Sequence, residues 1–339
     1  MRAFVVRGGF GFDHLTHEDR LDPVPGPGQV LVRVRAASLN YRDLLVARGE
    51  YNSKLPLPRV LGSDAAGEVL AAGEGVQVWK PGDRVTGCFF QEWADGQLTE
   101  RAARSALGAD LDGVLAELVV FEEGGLVATP EYLSDEEAAT LPCAGVTAWH
   151  AILAARQGKR GLAADCTVLV QGTGGVSVFA LQLAKAFGAR VLLTTRSAEK
   201  AKRAIELGAD AVCVTADTPD WDRWAREQTG KVGVDLVVEV GGAGTMEKSL
   251  RAVRYGGDIA LIGVLSGPGA FNPILAVMKG VTVHGIFVGS REHLESLDGV
   301  LHSHRIRPVI DRVFPFEDTR AAFDHLAAGG HVGKVVVAL

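Results

Sequence analysis

The residues with the clearest chemical potential form one decapeptide, Val168-Leu169-Val170-Gln171-Gly172-Thr173-Gly174-Gly175-Val176-Ser177. An apolar run enters a glycine turn, after which Val176, Ala180, Leu183 and Phe187 recur at helical spacing. Gly172 permits the tight turn and Gly174 lets backbone approach a pyrophosphate, while the first helical turn offers unpaired N–H groups and a favourable dipole to an anion. Ser177 stands at the third glycine position and is small enough for close helix–strand packing. Gly172, Thr173, Gly174, Gly175 and Val176 are therefore candidate dinucleotide contacts, with an ordinary tight turn in an unliganded sheet as the competing reading. Roughly 20 residues beyond the glycines, an NAD site places Asp or Glu on the ribose hydroxyls. Thr195 occupies that place, and Arg196, Ser197 and Lys200 follow. A guanidinium, a hydroxyl and an ammonium suit a 2′-phosphate, which a carboxylate would repel. The spacing predicts NADP(H) over NAD(H), against the alternative of a merely solvated helix start.

Other reactive side chains are scattered. Cys88, Cys143, Cys166 and Cys213 form no CxxC pair, so neither a disulfide framework nor a paired-thiol metal site is written in them. His302 and His304 lack a third ligand nearby and read as solvated, and His150 is a weak candidate for a proton relay. There is no GxSxG elbow, HExxH pair or Walker A lysine. Net charge is −6 without a long basic run, which excludes the electrostatic footprint of a nucleic-acid binder. No signal peptide is read at the amino terminus, and no uninterrupted apolar run approaches the ~18 residues of a membrane span, so a cytoplasmic protein is expected.

With 47% hydrophobic and 22% charged residues, the chain has the balance of a folded protein, and 339 residues suggest about two domains. From Met1 to about Glu123, short strand-like runs (Ala3–Val6, Val30–Val34, Gly67–Leu70, Arg84–Val85, Leu118–Phe121) alternate with Pro/Gly turns, predicting a β-rich domain. Ser134 and Glu137 fit a capping box opening a helix over Asp135–Leu141. Beyond Leu162, strands at Cys166–Val170, Val191–Thr194, Ala211–Val214, Val234–Val240, Ile259–Val264 and Val281–Val288 are predicted. Helices between them start at Ala198, Trp221 and Met246, the pattern of a doubly wound α/β parallel sheet. The last ~50 residues are too few for their own core and are expected to complete the first domain, giving 1–125 with 291–339 and 126–290 as the two domains.

The order of Ala36-Ala37-Ser38-Leu39-Asn40-Tyr41-Arg42-Asp43, Gly62-Ser63-Asp64-Ala65-Ala66-Gly67, Pro81-Gly82-Asp83-Arg84-Val85, Leu141-Pro142-Cys143-Ala144-Gly145-Val146-Thr147 and the glycine turn, through Gly333-Lys334-Val335-Val336, resembles the medium-chain dehydrogenase/reductase superfamily. The likeness runs nearly end to end and looks closest to the zinc-free, quinone oxidoreductase-like branch. It implies a Rossmann domain plus a β-rich GroES-like catalytic domain. The positions of the superfamily's catalytic zinc ligands match Asn40, Ser63 and Cys143, and the stretch Thr86–Leu118, where structural-zinc cysteines would lie, holds only Cys88, so no metal is expected. The resemblance implies that Asn40, and Tyr51 eleven residues later, line the nicotinamide pocket, with Tyr51 as candidate proton donor. Leu45 stands where many quinone reductases carry an additional Tyr, which shifts the expectation towards enones or alkenals. By position, Thr147, Gly241, Gly263, Val264, Leu265, Phe287, Val288 and Lys334 are further candidate cofactor contacts.

The expected activity is NADPH-dependent hydride transfer to a small electrophile, a quinone or an α,β-unsaturated carbonyl. An NAD(P)-dependent alcohol dehydrogenase and a non-catalytic NADPH-binding protein remain alternatives. A homodimer paired through the apolar strand Val281–Val288 is also expected.

Overall fold

The computed structural model describes residues 1–156, 162, 165–263 and 265–339. They form two compact units, Met1–Val146 with Val288–Leu339, and Thr147–Phe287. The first boundary thus falls after 146 rather than after 125, because Leu126–Ala128 is an edge strand of the first unit's sheet and helix Asp135–Ala138 packs on that sheet's strands. The second falls after 287 rather than after 290.

In the first unit, a seven-stranded sheet is built around the 11-residue strand Gln29–Leu39, longer than the run Val30–Val34. This strand pairs antiparallel with Asp64–Ala72, placing Ser38 opposite Asp64. It also pairs with the carboxyl-terminal strand Lys334–Ala338, placing Val335 opposite Leu39. Three segments distant in sequence are therefore brought to one point at the end of the central strand. Below it Phe4, Phe121, Phe314, Phe316 and Phe323 share one core with the strand valines. Ser134 opens its helix with a reciprocal cap, its hydroxyl accepting from the Glu137 N–H (3.2 Å) and the Glu137 carboxylate accepting from the Ser134 N–H (3.0 Å). That helix ends at Ala138 and not at Leu141. Pro142 has no N–H to offer the Ala138 carbonyl, and a wider turn over Leu141–Gly145 takes its place.

The second unit is a six-stranded sheet, parallel throughout. Its order across the sheet is Ala211–Val214, Arg190–Thr195, Thr167–Gln171, Val234–Glu239, Val253–Leu261 and Thr282–Gly285. Numbered along the chain this is 3-2-1-4-5-6, the Rossmann order, whose switch point lies between the first and fourth strands. The inner strands are buried on both faces along the apolar runs Val168–Val170, Val191–Leu193 and Leu236–Val238, as a sheet covered on both sides requires. The last strand is shorter than the predicted Val281–Val288 and lies exposed at the sheet edge. Phe287 and Val288 fall beyond it, and Val288 takes a left-handed φ of 54°. Taken together with the wider turn over Leu141–Gly145 and the helix Val146–Arg156 after it, the stretch Asp135–Ala155 is long and apolar enough to cross a membrane, but 78% of its most apolar part is buried inside the fold, as for a core helix.

Candidate functional sites

The phosphate turn has the geometry its glycines suggest. Gly172 has φ 74°, and its N–H bonds to the Thr194 carbonyl at 2.7 Å, closing the exit of strand Thr167–Gln171. Gly174 is the extended cap residue of helix Gly175–Ala186. A Cβ on Gly174 would meet nothing within 4 Å, so open room lies over the helix N-terminus where a pyrophosphate would need it. Thr173 is buried and Val176 half-buried beside it. Ser177 does more than fit closely: its hydroxyl donates to the Gln171 carbonyl at 2.6 Å and pins the helix to the strand.

Thr195 ends the second strand and is buried, its carbonyl accepting from the Thr215 N–H at 2.7 Å. Ser197 caps helix Ala198–Glu206 by accepting from the Lys200 N–H at 3.4 Å. Its hydroxyl proton stays available to a ligand. Arg196 is exposed, with no ion pair or hydrogen bond among the described residues.

A buried carboxylate holds the switch point together, and it escaped the sequence reading. Glu239, fully buried at the end of the fourth strand, accepts from the N–H groups of Gly241 (2.8 Å) and Gly242 (2.9 Å) and from the Thr245 hydroxyl (2.6 Å). Its other oxygen accepts from Gln171 Nε2 at 2.7 Å and from the Ser249 hydroxyl. The signal that could have found it is an acidic residue inside a strand with no polar face. Gly241 and Gly263 are steric necessities here. A Cβ on Gly263 would lie 1.5 Å from the Val240 oxygen, and one on Gly241 would lie 2.3 Å from Thr245 Oγ1. Leu265 and Phe287 are exposed, Thr147 and Val288 are buried, and Val264 lies outside the described residues.

The first unit carries a second polar site where the strand register converges. Lys334 is 3% exposed, and its Nζ donates to the Leu39 carbonyl (2.7 Å) and to Asn40 Oδ1 (2.5 Å). Asn40 Nδ2 donates to Ser63 Oγ at 3.3 Å, and Ser63 donates to Asp64 Oδ1 at 2.6 Å. Asp64 Oδ2 accepts from the Cys143 N–H at 3.2 Å. Asp43 Oδ2 accepts from the Asn40 N–H at 2.8 Å, fixing the start of helix Tyr41–Arg48. Lys334 is not solvated: it is buried, and the register seats its ammonium beside Asn40 inside the first unit, with two of its three donors engaged there.

Burial raises the pKa of Asp64, an effect opposed by Lys334 and by its hydrogen bonds. Burial also lifts Asp43 to about 6, against the opposing charge of Arg42. Arg42 lies with its guanidinium carbon 4.3 Å from the Phe89 ring centroid and 5.6 Å from that of Tyr51, and donates to the Leu107 carbonyl. Its Nη2 stands 3.9 Å from Asp43, so Tyr41-Arg42-Asp43 contains a buried charge pair. Tyr51 is partly exposed two residues past the Gly49 cap of the helix, and no hydrogen bond joins its hydroxyl to Asn40 among the described residues.

Asn40, Ser63 and Cys143 do come together, but as a poor donor set for zinc. An amide and a hydroxyl replace the thiolate and imidazole that zinc prefers. An ammonium occupies the amide oxygen, and its charge opposes a divalent cation beside it. Cys143 is half-buried, and its thiol is pushed up to about 12, chiefly by burial and further by Asp64. Among the described residues no group of three or more His, Cys, Asp or Glu is placed to hold a metal. These residues do not fit the metal.

A two-unit architecture of this kind, a Rossmann sheet and a β-rich partner enclosing it in sequence, defines a class of nicotinamide-dependent oxidoreductase. Residues 26–131 match the alcohol dehydrogenase GroES-like domain, and residues 175–302 match the zinc-binding dehydrogenase family. The chain is 40% identical to a zinc-type alcohol dehydrogenase-like protein of Schizosaccharomyces pombe, over 96% of each chain. It is 33% identical to the acryloyl-coenzyme A reductase of Metallosphaera sedula, over 99% of each. A solved NAD-dependent alcohol dehydrogenase superposes with a TM-score of 0.89 at 35% identity, covering all of both chains. A mycobacterial protein solved with NADPH does so with a TM-score of 0.83 at 30% identity, again over the full length of both. The chain belongs to the medium-chain dehydrogenase/reductase superfamily, which includes quinone oxidoreductase-like members, and is an oxidoreductase.

Proposed function

We propose that this protein is an NADPH-dependent, zinc-independent reductase that transfers hydride to a quinone or an α,β-unsaturated carbonyl. The observation that carries this reading is the ammonium of Lys334 on Asn40 Oδ1, at the positions where zinc enzymes of the superfamily keep their metal. Oxidising a simple alcohol requires an alkoxide, which a Lewis-acid metal stabilises. A conjugated acceptor is already electrophilic and needs only alignment and hydrogen-bond donors. The turn Gly172–Val176 would hold the pyrophosphate, and Thr195, Arg196, Ser197 and Lys200 the 2′-phosphate. When bound, the reduced nicotinamide supplies the hydride. Asn40 donates to the acceptor oxygen, and the Tyr51 phenol supplies the proton. The enoyl thioester named for the Metallosphaera relative belongs to the same class of conjugated acceptor.

A second copy of the chain is the proposed partner. Among the described residues no strand pairs with the outer side of the edge strand Thr282–Gly285, and Ile274, Val277, Met278 and Val283 are exposed on it and on the helix before it. An unpaired apolar edge of this kind is a template for strand pairing.

The decisive test is metal analysis of the purified protein beside NADPH oxidation with a quinone and an alkenal. Turnover in metal-free protein, insensitive to chelators, is the expected result. Zinc near one per chain with chelator-sensitive alcohol oxidation would sink the proposal.

A further inference from the structure

We propose that Lys334 is a positioning residue that locks the Asn40 amide in one orientation, so that Asn40 offers only N–H groups to the carbonyl oxygen of the substrate. This rests on the reductase reading and extends it to the polar network behind the site. An ammonium can only donate, so its partner on Asn40 must be Oδ1 at 2.5 Å, and the amide cannot flip. Ser63 gives its proton to Asp64 at 2.6 Å, so its oxygen accepts from Asn40 Nδ2 at 3.3 Å. Donor and acceptor roles are thereby assigned along the whole path from Lys334 through Asn40 and Ser63 to Asp64. The adjacent Ser63 and Asp64 side chains draw on one Nδ2 proton, which leaves the other for a ligand. Asn40, 8% exposed, is the member nearest the surface, whereas Lys334 is 3% and Ser63 and Asp64 are 0% exposed. The leftover proton is the network's outlet.

The strand pairing of Lys334–Ala338 does not itself call for a charge, and burying an ammonium is costly without partners. Here the charged groups around it are Asp64 and Asp43, with Arg42 beside them, and Lys334 lowers the pKa of both carboxyls. An amide whose oxygen is bound to a cation is a stronger N–H donor, since hydrogen bonds in a chain polarise one another. In the reduction, the hydride that reduced nicotinamide would supply, itself becoming NADP⁺, bonds to the β-carbon, and the C=C electron pair shifts to leave negative charge on the carbonyl oxygen. The Asn40 N–H meets that charge as it develops. A proton from the Tyr51 phenol then adds at the α-carbon, the C=O is restored, and water reprotonates the phenolate. Such a pocket favours an acceptor that becomes an oxyanion.

The test compares wild type, Lys334→Met, Lys334→Arg and Asn40→Asp. Asn40→Asp keeps an acceptor for the ammonium while removing the donor protons, and it covers the case in which Lys334→Met does not fold. NADPH binding, binding of 2-cyclohexenone to the NADP⁺-loaded protein, and kcat and KM for cyclohexenone reduction are measured. We expect Lys334→Met and Asn40→Asp to lose about a hundredfold in kcat, the scale of removing one oxyanion donor, with NADPH affinity within about twofold. Lys334→Arg should recover to within about tenfold of wild type, because a guanidinium also donates to Oδ1. Unchanged kcat in either variant overturns the proposal. So does an NADPH affinity that falls as far as kcat in Lys334→Met, which would make Lys334 a phosphate contact. If wild type reduces no quinone or enone, the reductase reading fails by itself. Cyclohexenone binding to the NADP⁺ form then decides for Lys334, and equal affinities in wild type, Lys334→Met and Asn40→Asp, or none in wild type, reject its role.

Discussion

At the scale of single residues, neutral and charged groups divide the labour. Arg196 stands exposed just past the second Rossmann strand, and among the described residues no group pairs with its guanidinium. Arg196→Asp should therefore weaken NADPH binding by at least tenfold and leave NADH binding within about threefold, since charge-assisted contacts to phosphate are the strong ones. Equal losses in a fluorescence titration would reject the 2′-phosphate assignment. Gly174 makes a complementary case. Because a Cβ there meets open space, Gly174→Ala should leave the melting temperature almost unchanged yet weaken cofactor binding, by filling room the pyrophosphate needs. Gly263→Ala should unfold the protein, its Cβ lying 1.5 Å from a carbonyl oxygen. Asp43 adds a pH dependence. Its folded-state pKa of about 6 lies above its ordinary value of 3.8, so the folded protein retains a proton that the unfolded chain releases. Its contribution to stability is greatest below pH ~4 and falls as pH rises to about 6. Denaturation midpoints measured across that window should decline less steeply in Asp43→Asn than in wild type.

Among the elements, the switch point of the Rossmann sheet depends on Glu239. Its carboxylate ties the ends of the first and fourth strands to the start of helix Ala243–Ala252, where the positive end of the helix dipole favours negative charge. Five donors converge on it, so Glu239→Gln replaces one oxygen by an NH₂ that must face donors. A loss of about 2–4 kcal/mol in stability follows from bonds to a charged group left unmade. The phosphate turn begins immediately after Gln171, so the same variant should bind NADPH more weakly. A thermal melt and a binding titration check both, and wild-type values in both would contradict this role. The local boundaries follow equally plain causes, as at Pro142, which cuts short the helix opened by Ser134.

For the whole molecule, the exposed edge strand sets the expectation. Val283 is 38% and Val277 80% exposed, an apolar margin that a second copy would cover. Val283→Lys places a charge on the pairing edge and should convert a dimer to a monomer in sedimentation at micromolar concentration, with cofactor binding retained. A wild-type protein already monomeric there would contradict the pairing. The sequence by itself was enough for the Rossmann sheet and its glycine turn, because a parallel sheet covered on both faces needs apolar runs, and a phosphate needs glycine at a strand–helix junction. Such information is local, within some ten residues of Gly172. It was also enough for the return of the last residues to the first unit, since so short a segment has no core of its own. Only the tertiary structure decided what surrounds Lys334. Asn40, its partner, is 294 residues away in the chain, and their meeting depends on the register of Gln29–Leu39 with strands on both sides. Glu239 was hidden for the same reason, its donors spread from Gln171 to Ser249. Spacing along a chain reveals groups that one turn or one helix brings together, whereas a buried charge is defined by its partners, and those are chosen by how strands pair.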